Sequence, residues 1–174
     1  MDTSYIDYVP LKDHEHLHCM ETGLYLGGLT PVVDPEDTRL TDVGIDVVIR
    51  AMSDHDVKYF KVMDHLNWRA WHHIPVDDTE DTNIYQYFRQ VHDWITQSQA
   101  TGKKVYVHCR MGISRSATLV IAHFMLKYGW TRRQAIEHVS RRRPIICPND
   151  GFMKQLARLE QEILSQGHVG STTQ

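Results

Sequence analysis

At 174 residues the chain has room for one domain with a substantial core, without metals or disulfides to staple it. Its 41% hydrophobic and 24% charged content is that of an ordinary globular protein, and a formal charge of −3 provides no global attraction for nucleic acid or anionic membranes. Any affinity for an anion must therefore come from a local feature.

The opening residues, 1–20, are polar and mixed, and are expected to be an N-terminal extension. They contain no apolar leader, and Asp2 stands where myristoylation needs glycine. His14, His16 and His18 alternate in HEHLHC, but alternation without a wider ligand set reads as surface histidines, and no metal is expected. GLYLGG (23–28) and GIDVVIRA (44–51) have the short apolar runs of buried strands. Between them, 34–44 carries proline and acids early and glycine last, the order of a helix. WHHIPV (71–76) is strand-like with Pro75 near its end, and His72 and His73 should point to opposite sides.

From 83 to 99, Ile84, Tyr87, Phe88, Val91, Trp94 and Ile95 fall at helical spacing and form one apolar stripe. KKVYVHC (103–109) is the most strand-like run in the chain. Residues 115–128 are apolar on most sides, which predicts a buried helix stopped by Gly129. Thr131 and Gln134 form a capping-box pattern opening a helix that Pro144 ends, and Arg132, Arg133, Arg141, Arg142 and Arg143 should give it a solvated basic face. A last helix repeats Phe152, Leu156, Leu159 and Ile163, and 165–174 reads as a flexible tail. Strands alternating with such helices predict a single α/β domain, a central mainly parallel sheet flanked by helices. In that class ligands bind beyond the carboxyl ends of strands, where Cys109 stands just before a helix.

The three cysteines, Cys19, Cys109 and Cys147, are an odd number with no CxxC or Cys/His zinc spacing, which argues for a reducing compartment. No apolar run nears the roughly 18 residues of a membrane span. The expected location is cytoplasmic, with the nucleus also open. Around Cys109 the sequence reads VHCRMGISRS. A strand, this loop and a buried helix together would make an anion cradle: the helix start offers unpaired N–H groups, Gly112 lets the backbone curl, and Arg115 adds a planar fork for two phosphate oxygens. The same groups favour a thiolate at Cys109, a nucleophile in line with a bound phosphorus. Arg110, Met111, Gly112, Ile113, Ser114 and Arg115 would line the substrate, Ser116 could hydrogen-bond the sulfur, and His108 reads as a structural support. A leaving oxygen needs an acid from another loop, and PVDDTED offers Asp77, Asp78 and Asp81, among which spacing does not choose.

His108, Cys109, Arg115 and Ser116 spell HC-x5-R-S, with Gly112 at the favoured small position. On these residues the chain resembles the cysteine-dependent protein tyrosine phosphatases, and most closely the compact dual-specificity members. LYLGG, GIDVVI, HIPVDD and RRRPIICPNDGFMKQL resemble further segments of that domain, which the resemblance would extend over residues 21–164. It implies that Cys109 forms a phosphocysteine, that Arg115 holds the phosphoryl group, and that Asp78, with Asp77 second, is the general acid and base. Ser116 would assist the second step, and Asn149 and Asp150 would support the loop. No cofactor is implied, and the expected partners are phosphorylated proteins, a kinase among them, with no nucleic acid or membrane and a monomer or weak dimer. The rival readings are a phosphoinositide or RNA 5'-triphosphate phosphatase, a catalytically weak phosphoprotein-binding module, arsenate-reductase or sulfur-transfer chemistry, and an inert core thiol. Cys147 reads as packing rather than as a redox partner.

Overall fold

The computed structural model describes residues 17–60 and 70–169. His14 and His16 of the alternating histidines lie outside them. Five strands form one sheet: β1 (His18–Glu21), β2 (Leu24–Gly27), β3 (Val47–Ala51), β4 (Ala70–Ile74) and β5 (Val105–His108), in the order β1-β2-β5-β3-β4. The four strands β2, β5, β3 and β4 run parallel, and β1 pairs antiparallel with β2 at one edge. Every residue of β3 and β5 is buried, as expected of strands covered on both faces, and this is why they read as mainly apolar runs without the alternation of a half-exposed strand.

The helices are α1 (Thr30–Val33), α2 (Arg39–Val43), α3 (Asp54–Tyr59), α4 (Phe88–Ala100), α5 (Arg115–Tyr128), α6 (Arg132–Arg142) and α7 (Asp150–Val169). Helix α5 packs against β5, β2 and β3 and is itself flanked by α4, α6 and α7. That position explains its apolar circumference: Ala117 to Met125 are all buried. Gly129 ends it in the left-handed conformation, and the Thr131–Gln134 capping box opens α6 as the pattern predicts. Phe88, Val91 and Ile95 are the buried stripe of α4, with Trp94 half-buried beside them. Tyr87 falls in a short 3-10 turn before the helix, Tyr85–Tyr87, and buried Ile84 precedes that turn, so the expected helix starts later than residue 83.

Several details differ from the sequence reading. The segment 34–44 is not one helix: the Asp34 carboxylate accepts from Glu36 N–H, and Asp37 accepts from the backbone and side chain of Arg39, so these acids close local turns and only 39–43 is helical. Strand β1 crosses the boundary expected at residue 20, with Met20 fully buried, and α7 runs beyond 164 to Val169. Helix α3 was not expected, having no apolar stripe; the Ser53 hydroxyl starts it by accepting from Asp56 N–H. His72 and His73 do diverge: His72 stacks on Trp94 of α4, and His73 reaches the Met52 carbonyl at 2.8 Å. Among the described residues no helix is long and apolar enough to cross a membrane.

Candidate active site

Central strand β5 delivers Cys109 at its carboxyl end, between the ends of β2 and β3, and the next six residues close a loop onto the first turn of α5. Four successive carbonyls of this loop, from Arg110 to Ile113, accept from donors supplied by other elements. Arg110 O accepts from Leu29 N–H after β2, at 3.0 Å, and Ile113 O accepts from Cys147 N–H at 2.9 Å. Met111 O and Gly112 O accept from the Arg143 guanidinium at 2.9 and 2.7 Å. Carbonyls held outside turn the amides inward, which makes the loop a nest for an anion. Gly112, at φ +67°, donates its N–H to the Cys109 sulfur at 3.2 Å. A side chain could not replace its hydrogen, since a Cβ would lie 2.4 Å from the Gly27 backbone.

Ser116 Oγ donates to the same sulfur at 3.2 Å from inside the first turn of α5. Cys109, Ser116 and Arg115 are all buried, with Cys109 2% exposed. His108 is a support, as its sequence position suggests. Burial pushes its imidazole down to about 3, so it is neutral, and its Nδ1–H donates to the Cys109 carbonyl at 3.2 Å while the ring stacks on Tyr106.

Asp78 arrives from the loop after β4. Its Oδ1 accepts from Ser114 Oγ at 2.6 Å and from Asn149 Nδ2 at 3.0 Å, and its Oδ2 lies 3.9 Å from Arg115 Nε. Asn149 N–H donates to Ser114 Oγ, closing a three-residue network. The Asp78 side chain is 39% exposed, so it faces the cleft mouth rather than the core. Asp77 and Asp81 are exposed, and neither hydrogen-bonds the loop. Arg110 and Met111 are exposed at the rim, with the Arg110 guanidinium 4.8 Å over the Phe60 ring; Ile113 and Ser114 line the inner side.

Three contributions were not foreseen from sequence. Arg143, expected on a solvated helix face, is 0% exposed and is the main anchor of the loop. Asp56 of α3 accepts from Arg115 Nη1 at 2.7 Å, and the Val76 carbonyl accepts from the same nitrogen at 3.2 Å. Helix α7 forms a seat for the acid loop: Gly151 packs so closely that a Cβ would fall 1.9 Å from Glu80 O, and Gln155 accepts from Tyr85 N–H and donates to Thr82 O. The PND segment signals the Asn149 contact, but nothing in the sequence signals these three. Cys147, read from sequence as packing, is instead exposed, and its backbone N–H donates to the loop at Ile113 O.

Residues 24–162 match the family described as dual specificity phosphatase, catalytic domain. The protein phosphatase Slingshot of Drosophila melanogaster is 46% identical over 147 residues, covering 84% of this chain and 13% of its own length. A Slingshot homolog of Xenopus laevis is 46% identical over 101 residues, 58% of this chain and 14% of that protein. The chain thus spans about one seventh of these relatives. Among solved structures, the human tyrosine phosphatase-like serine/threonine/tyrosine-interacting protein superposes with a TM-score of 0.80 at 30% identity, covering 86% of this chain and 99% of that one.

Proposed function

The chain belongs to the dual-specificity phosphatase family, and from that premise we propose that it hydrolyses phosphotyrosine and phosphoserine or phosphothreonine in proteins through a phosphocysteine intermediate. The observation that carries the reading is the convergence on one sulfur: Cys109 Sγ accepts from the loop amide and from Ser116, beside a carboxylate poised over Arg115.

In the first step the Cys109 thiolate attacks phosphorus. The S–P bond forms as the P–O bond to the leaving group breaks, and Asp78 in its acid form gives that oxygen a proton. The loop amides and the Arg115 fork bind the equatorial oxygens and stabilise the charge they carry. In the second step the Asp78 carboxylate takes a proton from water as its oxygen attacks phosphorus. The P–S bond breaks, and the electron pair returns to sulfur, where the Ser116 hydroxyl stabilises it. Inorganic phosphate leaves. The Ser114 and Asn149 donors both reach Oδ1, whereas Oδ2 faces Arg115 Nε at 3.9 Å without a hydrogen bond, so Oδ2 is the oxygen assigned the transferred proton.

The expected substrates are phosphorylated proteins, a kinase among them, met in the cytoplasm or nucleus. Turnover of para-nitrophenyl phosphate in metal-free buffer, blocked by vanadate, tests the reading. Cys109→Ser should abolish turnover, and normal activity in that variant would sink the mechanism. Asp78→Ala should slow turnover by about 10²–10⁴ with phosphate binding retained. A larger loss from Asp77→Ala would transfer the acid role to that residue. Peptides bearing phosphotyrosine and phosphothreonine, phosphoinositides and RNA triphosphate ends, compared by kcat/KM, separate protein substrates from the rival classes.

A further inference from the structure

Resting on the phosphatase reading of this site, we propose that Asp56 is a positioning residue for Arg115, fixing which edge of the guanidinium meets the phosphoryl group. Helix α3 is short and none of its residues is fully buried; Val57 and the C-cap residue Phe60 rest partly buried against the core. Its two neighbouring acids differ sharply: the Asp54 side chain is 86% exposed, whereas that of Asp56 is 21% exposed and turned onto Arg115. Asp56 is held from both ends, its N–H by the Ser53 cap and its carboxylate by the guanidinium.

Both hydrogen bonds of Arg115 to the protein pass through Nη1, to Asp56 at 2.7 Å and to the Val76 carbonyl at 3.2 Å. The Nε atom is buried and makes no hydrogen bond. A guanidinium with Nη1 held in this way presents its Nε–Nη2 edge as the fork that matches two phosphate oxygens. Val76 lies two residues before Asp78, so the same nitrogen ties the fork to the backbone of the acid loop. Asp56 thereby sets the phosphate-binding edge and the proton donor in one register.

The carboxylate has a second effect of opposite sign. Its negative charge weakens the field that draws an anion into the loop. Were charge dominant, removing it would tighten anion binding; were position dominant, removing it would loosen binding and slow turnover. The 2.7 Å contact from a buried guanidinium argues for position, because a misplaced fork loses a directed donor in the transition state, an effect of about 10- to 100-fold or more.

Five variants decide it (three at Asp56, Arg115→Lys, and the Asp56→Ala/Arg115→Lys double), each read by kcat/KM for para-nitrophenyl phosphate, the vanadate inhibition constant and a thermal melt. Asp56→Ala should lower kcat/KM by about 10- to 100-fold and weaken vanadate by a similar factor. Asp56→Asn, which keeps an acceptor oxygen in place, should retain more activity than Asp56→Glu, which keeps the charge but displaces it by a methylene. In an Arg115→Lys background, Asp56→Ala should cost little more, since an ammonium has no fork to orient. Wild-type rates in folded Asp56→Ala, tighter vanadate in Asp56→Asn, Asp56→Glu outperforming Asp56→Asn, or full additivity with Arg115→Lys would each overturn the proposal. The Asn and Glu pair carries the test even if the alanine variant fails to fold. A wild-type protein inactive towards phosphate esters would overturn the phosphatase reading instead.

Discussion

Replacing Arg143 with methionine isolates how much of the loop's shape is imposed from outside. The native guanidinium sends Nε to Gly112 O and Nη2 to Met111 O, and reaches His18 Nδ1 at 2.8 Å from Nη1. Methionine fills similar space and donates nothing, so two loop carbonyls lose their donors. A buried carbonyl left unmade costs about 1–3 kcal/mol, giving about 2–6 kcal/mol for the pair. Removing a cation whose burial is itself unfavourable returns part of that, leaving about 3 kcal/mol net. For a chain of this size each kcal/mol moves the melting midpoint by about 2–4 °C, so the midpoint should fall by about 6–12 °C. Turnover should suffer more than stability, because the Gly112 amide that faces the sulfur belongs to the peptide plane next to the lost anchor. Differential scanning fluorimetry and para-nitrophenyl phosphate kinetics on the same preparation measure both. A variant that melts within 2 °C of the wild type and turns over at the same rate would refute the idea that Arg143 shapes the loop.

Other outcomes follow from the same geometry. Gly151→Ala should push the Glu80 backbone away and carry Asp78 with it, lowering kcat by about 10-fold or more while the vanadate inhibition constant stays within about 2-fold; unchanged kcat would mean α7 does not seat the acid loop. Gly112→Ala should lose both stability and activity, since the left-handed φ and the Gly27 contact each forbid a Cβ, and a folded, active variant would contradict the loop geometry. Stability should fall between pH 7 and pH 5. Burial depresses His108, His123 and His92 below the usual 6.5, so across that interval the unfolded chain binds protons that the fold refuses. A melting midpoint that is flat or rises as the pH drops would show that these imidazoles do not govern acid sensitivity.

How much of this was legible in the sequence depends on how each residue is recruited. The cradle is contiguous: Cys109, Gly112, Arg115 and Ser116 are held together by one loop and one helix start, so their chemistry is visible in the order of the letters. The parallel sheet was legible from short, mainly apolar runs alternating with helical segments, and α5 from its apolar circumference. Asp78 was only partly legible, because three acids follow the same strand and the choice is made by Ser114 and Asn149 in space. Asp56 and Arg143 were hidden for a shared reason. Each stands beside a similar charged residue that is solvated, Asp54 in one case and Arg142 in the other, and only the packing of a distant segment turns one of the pair inward. Strand β1 was missed because an edge strand of four residues has too few positions to show a period.

The outward carbonyls also say why such a loop needs a whole domain around it. Bringing several amide dipoles to bear on one point is unfavourable unless their carbonyl ends are satisfied elsewhere. Here the partners come from three places far apart in the chain: the turn after β2, the end of α6, and the segment before α7. The sheet order brings the first of these alongside, because β5 pairs directly with β2. An anion in the cradle would in turn hold all three segments to the loop. Ligand affinity and fold stability are therefore linked, and a tetrahedral oxyanion such as vanadate at 100 times its dissociation constant should add about 2.7 kcal/mol to the folded state. In the Arg143→Met protein the absolute gain at a fixed vanadate concentration should be smaller, since part of the binding energy goes into reshaping a loop that Arg143 otherwise holds ready.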